Sequence, residues 1–184
     1  MTTADQTILQ ALASDHAGLL DLLGRLRGGA TEDLRQELVI ETVRHFVAEE
    51  QYLYPLVRDR LPDGGALADE GFAANRECER LLRRFEQPGH DEAATLAELR
   101  QLLGRHVESQ QAELFGRLAG AVPADELRAL AAEVRGAEQL APTRPRVLAA
   151  SNPALNKFSS LVEGFLDHVR DSYGHRGAHA DHVE

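Results

Sequence analysis

The chain has 184 residues, 43% hydrophobic and 27% charged, a balance that suits one globular domain with a tail and excludes a disordered or fibrous chain. Its net charge of −10, from 20 basic and 30 acidic residues, argues against a dedicated nucleic-acid binder, whose affinity rests on basic surface. A single cysteine, Cys78, excludes an internal disulfide framework or a multi-cysteine metal site and points to a reducing, cytoplasmic setting. Purely apolar runs are only three or four residues long, so no segment is expected to span a membrane. The opening MTTADQTILQ lacks the basic region of a secretory signal.

Alanine, leucine, glutamate and arginine dominate and β-branched residues are scarce, so the reading is all-α. The first predicted helix covers residues 5–27 and stops at Gly28-Gly29. Thr31 is placed to cap a second helix over 32–61, with Glu32 and Asp33 in its first turn. Pro62-Asp63-Gly64-Gly65 is a turn signal before a third helix over 65–86. Pro88-Gly89-His90-Asp91 is another, with Asp91 as the cap of a fourth helix over 91–119. Pro123 opens a shorter helix near 123–140. Short connections make successive helices antiparallel neighbours, which predicts an up-down-up-down four-helix bundle within residues 1–140. Residues 141–184 read as a separate region: a proline-containing linker, an amphipathic helix near 155–173 carrying Phe158, Leu161, Phe165 and Leu166, and a His-rich, disordered tail. That helix is expected to pack on the bundle or to form a homo-oligomer. No internal repeat stands out.

The core stripes of these helices are interrupted by polar residues at mid-height. The first reads Leu9, Leu12, His16, Leu19/Leu20, Leu23, and the second Leu38, Thr42, His45, Glu49, Leu53, Leu56. The third places Asn75 among Leu67, Phe72, Cys78, Leu82 and Phe85, and the fourth places His106 and Gln110 among Leu99, Leu103, Leu114 and Leu118. One core histidine is commonly a hydrogen-bonded structural residue. Three histidines and a carboxylate from three helices are a different matter, because burying an unpaired carboxylate costs several kcal/mol. A divalent cation would neutralise Glu49 and take imidazole ligands, and His45-x-x-x-Glu49 offers two ligands from one helix face.

The stretch Val43-Arg44-His45-Phe46-Val47-Ala48-Glu49-Glu50-Gln51-Tyr52-Leu53-Tyr54-Pro55, with Asp15-His16 before it and His106-Val107-Glu108 and Glu113-Leu114-Phe115 after it, resembles the hemerythrin-like HHE cation-binding domain family. The resemblance covers about residues 8–120. It implies a four-helix bundle with a non-haem di-iron site, held by one histidine from each of helices one and three and a His-x-x-x-Glu pair from each of helices two and four. Carried over by position, His16, His45, Glu49 and His106 match the metal ligands. Asn75 stands where the third-helix histidine belongs, and Gln110 where the second bridging glutamate belongs. An amide is a weak neutral ligand that does not bridge two metals, so the implied cofactor is at most one ion, non-haem iron or another divalent metal such as zinc. Alternatively Asn75 and Gln110 hydrogen-bond each other or Glu49 in a metal-free polar layer.

Lesser candidates are Glu79 as a substitute carboxylate, Tyr52 and Tyr54 as hydrogen-bond partners of Glu49, Cys78 as packing or a thiol, and the C-terminal histidines His168, His175, His179 and His182. Arg80, Arg83 and Arg84 read as a solvated helix face. Three functions compete. One is a single-ion metal-binding module for oxygen, nitric oxide or redox sensing or iron handling, with a metal ion and a small diatomic ligand as partners. Another is a metal-free interaction or regulatory bundle. The third, a di-iron oxidative enzyme, ranks last because two ligand positions are altered.

Overall fold

The computed structural model describes residues 5–27, 31–87, 89 and 91–140, with side chains described as far as residue 134. Helices are α1 (Ile8–Leu26), α2 (Glu32–Ala48), α3 (Tyr54–Arg60), α4 (Gly64–Glu86), α5 (Glu92–Ser109), α6 (Phe115–Ala121) and α7 (Ala124–Leu140). Glu49–Leu53 and Gln110–Leu114 are π-helical and join α2 to α3 and α5 to α6. Among the described residues there is no strand. The bundle belongs to the unit Met1–Arg135. The linker, amphipathic helix and His-rich tail expected after residue 140 lie outside the described residues.

The caps follow the local chemistry. Thr7 and Gln10 form a reciprocal capping box at α1, with Thr7 Oγ1 accepting from the Gln10 amide at 3.3 Å and Gln10 Oε1 accepting from the Thr7 amide at 3.0 Å. Thr31 accepts from Leu34 N at 3.3 Å and Asp91 from Ala94 N at 3.0 Å, as their positions imply. Each such cap contributes about 1 kcal/mol. Gly64 opens α4 hard against α3: a Cβ there would lie 1.9 Å from the carbonyl oxygen of Val57, so only glycine allows the tight return.

Four rods make the bundle: α1, the α2–α3 rod, α4 and the α5–α6 rod. α1 packs on α2 and α5, and α4 packs on α3 and α5. At one end Ile8, Leu12, Leu53, Tyr54, Val57 and Leu118 form an apolar cluster that α7 completes through Leu127 and Ala131. Toward the other end Leu23, Leu38, Leu82, Phe85, Leu99 and Leu103 are buried. Burying each large apolar side chain is worth roughly 1.5–3 kcal/mol, enough to carry a polar layer between the two. Leu20 is exposed and Leu19 carries the stripe alone.

The second and fourth helices were expected to run unbroken. Each instead widens by a π turn that begins at the polar residue of its stripe: Tyr54 N–H donates to Glu49 O, and Phe115 N–H to Gln110 O. Proline has no N–H and its ring collides with the carbonyl four residues back, so Pro55 disfavours a regular α turn over Gln51. Gly116, a weak helix former, occupies the corresponding place in the other rod. Aligned on these turns, the two rods repeat each other: His45, Glu49, Leu53, Tyr54, Pro55 and Pro62 match His106, Gln110, Leu114, Phe115, Gly116 and Pro123 in register. The bundle therefore contains an internal repeat that was not apparent from the sequence.

Candidate metal centre

The polar layer is buried. His16, Glu49 and Asn75 are fully buried, and His45, His106 and Gln110 nearly so. His16 comes from α1, His45 from α2, Glu49 from the first π turn, Asn75 from α4, His106 from α5 and Gln110 from the second π turn. The other five converge on the Glu49 carboxylate.

The two oxygens of that carboxylate face different chemistry. Oε1 faces the imidazoles: Nε2 of His106 donates to it at 3.0 Å, while Nε2 of His45 lies 3.0 Å away and Nε2 of His16 3.9 Å away. Gln110 Nε2 also donates to Oε1, at 2.6 Å. Oε2 faces neutral donors, the Tyr54 hydroxyl at 2.9 Å and Asn75 Nδ2 at 3.1 Å. Asn75 Nδ2 reaches Glu50 Oε1 as well, at 3.2 Å.

Tyr54 gets there because of the π turn. Residues five apart on an α-helix point about 140° apart at 3.6 residues per turn, whereas the wider turn swings position 54 back over position 49. The ring is seated by a glycine: a Cβ on Gly71 would sit 2.5 Å from the Tyr54 ring carbons, closer than real contacts allow. Phe72 packs against the ring with centroids 4.9 Å apart. Of the two tyrosines singled out in the sequence, Tyr54 binds Glu49, while Tyr52 is half-buried against the apolar cluster.

The electrostatics follow from this crowding. Burial alone would raise the Glu49 pKa, but His45 and His106 outweigh it and hold the carboxyl well below its usual range. Burial likewise opposes charge on His45, yet Glu49 and Asp15 raise it to about 9; Asp15 Oδ2 lies 3.6 Å from its Nδ1. His16 is lowered, first by burial. Burial, with Glu79 and Glu49 nearby, pushes Glu50 up to about 7. Burial also raises Tyr54, which therefore remains a donor.

The layer is not self-sufficient. His16 Nε2 and His45 Nε2 have no aligned hydrogen-bond partner despite complete enclosure, and Gln110 Oε1 has no donor. Buried imidazole nitrogens are rarely left so. One ligand atom from each of His16, His45, Glu49 and His106 falls within 4.8 Å of the others, a grouping that suits a metal ion. Three imidazoles and a carboxylate form a donor set for Zn²⁺ or Fe²⁺. A cleft lined by Gly71, Ala74, Leu102, Arg105 and Arg117 reaches Tyr54, His106 and Gln110 from outside.

The remaining candidates are accounted for by ordinary contacts. Glu79 accepts from Arg83 at 3.1 Å, and Arg80 and Arg84 pair with Glu77 and Glu98, as a solvated face would. Cys78 is buried, which pushes its thiol up and keeps it protonated. Glu50 and Gln111 were not singled out in the sequence. Their signal was register: each directly follows a site residue at the opening of a π turn.

Helical rods carrying a buried histidine–carboxylate cluster form a bundle whose core could hold a cation. The model of the Hemerythrin HHE cation binding domain matches residues 7–118, and the chain belongs to that family. No curated protein and no solved structure matches the chain. No helix among the described residues is long and apolar enough to cross a membrane.

Proposed function

We propose that this protein is a hemerythrin-like module that holds a single divalent ion between His16, His45, Glu49 and His106. The observation that carries the reading is the pair of orphaned nitrogens, His16 Nε2 and His45 Nε2, enclosed beside the one anionic oxygen that faces them. A bound cation would supply Lewis acidity and, if iron, redox capacity. The chain's own contribution is to enclose the site and fix the imidazoles. On the other side of Glu49, Tyr54 and Asn75 meet Oε2 with neutral donors, and Gln110, which bonds both Oε1 and the Tyr54 hydroxyl, puts an amide where the family arrangement has its second bridging carboxylate, which supports one ion over two.

The reading places the protein in oxygen, nitric oxide or redox sensing or in iron handling, in the cytoplasm, with a small diatomic ligand entering by the cleft beside His106. A second reading has its own observation. Glu49 already accepts four well-formed hydrogen bonds, from His106, Gln110, Tyr54 and Asn75, so the bundle folds metal-free and serves as an interaction module. Metal analysis of untagged protein, with Co²⁺ titration of the metal-free form, decides. One ion per chain, lost in Glu49→Ala and His45→Ala, is expected. No binding sinks the first reading, and two ions per chain sinks the single-ion assignment.

A further inference from the structure

His16 is fully enclosed, and its two ring nitrogens have different neighbours. Nε2 faces Glu49 across 3.9 Å without a hydrogen bond, and Nδ1 lies 3.2 Å from the side-chain amide of Gln111. A neutral imidazole has one proton for two nitrogens. With the proton on Nε2, the N–H points toward a carboxylate and Nδ1 must accept. With the proton on Nδ1, the Nε2 lone pair is free for a cation and Nδ1 must donate.

Only a group that both donates and accepts serves Nδ1 in both forms. A primary amide does so by turning half a revolution: its NH₂ donates to bare Nδ1, and its carbonyl accepts from Nδ1–H. His45 differs: the carboxylate beside its Nδ1, Asp15 at 3.6 Å, can only accept and makes no hydrogen bond there. The internal repeat supplies an independent parallel. Glu50, in register with Gln111, reaches Asn75 on the first helix of the other half, as Gln111 reaches His16. The fixed donor Asn75 meets a carboxylate, and the two-state imidazole meets an amide.

We infer that Gln111 is a positioning residue that lets His16 exchange its ring proton between Nε2 and Nδ1, freeing Nε2 as a cation ligand. The exchange is balanced: as the cation enters, the N–H bond at Nε2 breaks and its proton passes to the water the ion brings, one N–H bond forms at Nδ1 with a proton from solvent at the exposed Gln111 side, and the ring stays neutral. This inference rests on the single-ion reading proposed above.

The test is long-range ¹H–¹⁵N correlation spectroscopy of the imidazoles in labelled full-length protein, metal-free and with one equivalent of Zn²⁺. Wild type should show His16 as Nε2–H without zinc and as Nδ1–H with it. Gln111→Met keeps the shape, excludes water and offers Nδ1 no comparable partner; Gln111 is exposed, so the fold survives the change. That variant should lose about 10–100-fold in zinc affinity, the usual cost of removing the partner of a ligating histidine. Gln111→Glu should show Nδ1–H in both spectra and recover affinity over Gln111→Met. An unchanged His16 tautomer in zinc-bound wild type, or undiminished affinity in Gln111→Met, overturns the role of Gln111 while leaving the metal site standing. Failure of wild type to take up zinc overturns both.

Discussion

Tyr54→Phe isolates the side of Glu49 that faces away from the histidines. The substitution keeps the ring, its seat over Gly71 and its packing on Phe72, so it opens no cavity and removes only the hydroxyl. That hydroxyl donates to Glu49 Oε2 at 2.9 Å and accepts from Gln110 Nε2 at 3.3 Å in a fully buried setting. Oε2 is then left with Asn75 Nδ2, which is shared with Glu50. A hydrogen bond to a charged acceptor is worth about 1.5–3 kcal/mol, so metal-free Tyr54→Phe should be destabilised by about 2 kcal/mol. At roughly 2–4 °C per kcal/mol for a chain of this size, the melting temperature should fall by about 4–8 °C. The assay is thermal and urea unfolding followed by circular dichroism in EDTA, with Tyr52→Phe as control. Tyr52 makes no hydrogen bond to Glu49 and its variant should stay within about 0.5 kcal/mol of wild type. A Tyr54→Phe protein as stable as wild type, or an equal loss in Tyr52→Phe, would refute the assigned network.

Gln110→Glu should destabilise the metal-free protein by several kcal/mol, because it replaces a donor 2.6 Å from Glu49 with a second carboxylate; unfolding with and without Co²⁺ should show a much larger cation dependence than wild type. Adding Asn75→His should raise metal content toward two ions per chain by elemental analysis; a double variant still limited to one would show that the two amides do not set the stoichiometry. Glu86, whose carboxylate oxygens are buried without a partner, is pushed up to about 7 by burial and the nearby Glu32, with Arg83 partly opposing. A folded-state value above the unfolded one means stability is lost as pH rises from about 4.5 to 7, so Glu86→Gln should gain about 1–2 kcal/mol over wild type at pH 8 and little at pH 4, allowing for the partial exposure of the side chain. A pH-independent difference in urea unfolding would contradict that assignment.

The helical bundle was legible because its signals are local. Thr31 and Asp91 cap where a short polar side chain precedes an acidic or apolar helical run, and leucines at helical spacing mark the faces that meet. The convergence of His16, Glu49, Asn75, His106 and Gln110 at one level was legible because each sits mid-helix on such a face. Tyr54 was harder. An α-helical reading puts it off the Glu49 face, and only the π turn brings it round. The internal repeat was hidden for a related reason: Tyr54 matches Phe115 and Pro55 matches Gly116, pairs that share size or helix-weakening character rather than identity. Gln111 and Glu50 could not be found by apolar periodicity, since they lie at the edge of the face, where helix rotation decides the contact.

The repeat also explains why the two sides of Glu49 differ. Equivalent positions in the two halves carry Glu49 and Gln110, and the facing helices carry His16 and Asn75, so one half supplies imidazole and charge where the other supplies amides. Each exchange conserves hydrogen-bonding capacity while removing a charge or a ligand nitrogen. With both carboxylates present, the layer would need positive charge to fold, since two buried carboxylates in contact repel strongly. With one, the Asn75 amide and the Tyr54 hydroxyl satisfy Oε2, while Oε1 accepts from Gln110 and His106 and also faces two imidazole nitrogens that lack partners, the side on which the proposed cation would sit. The same two amides that leave no charge for a second ion would thus make the proposed first ion optional for folding. On the single-ion reading, occupancy of such a bundle would be set by metal supply and by the free energy of turning His16 and His45 into ligands, not by the stability of the fold.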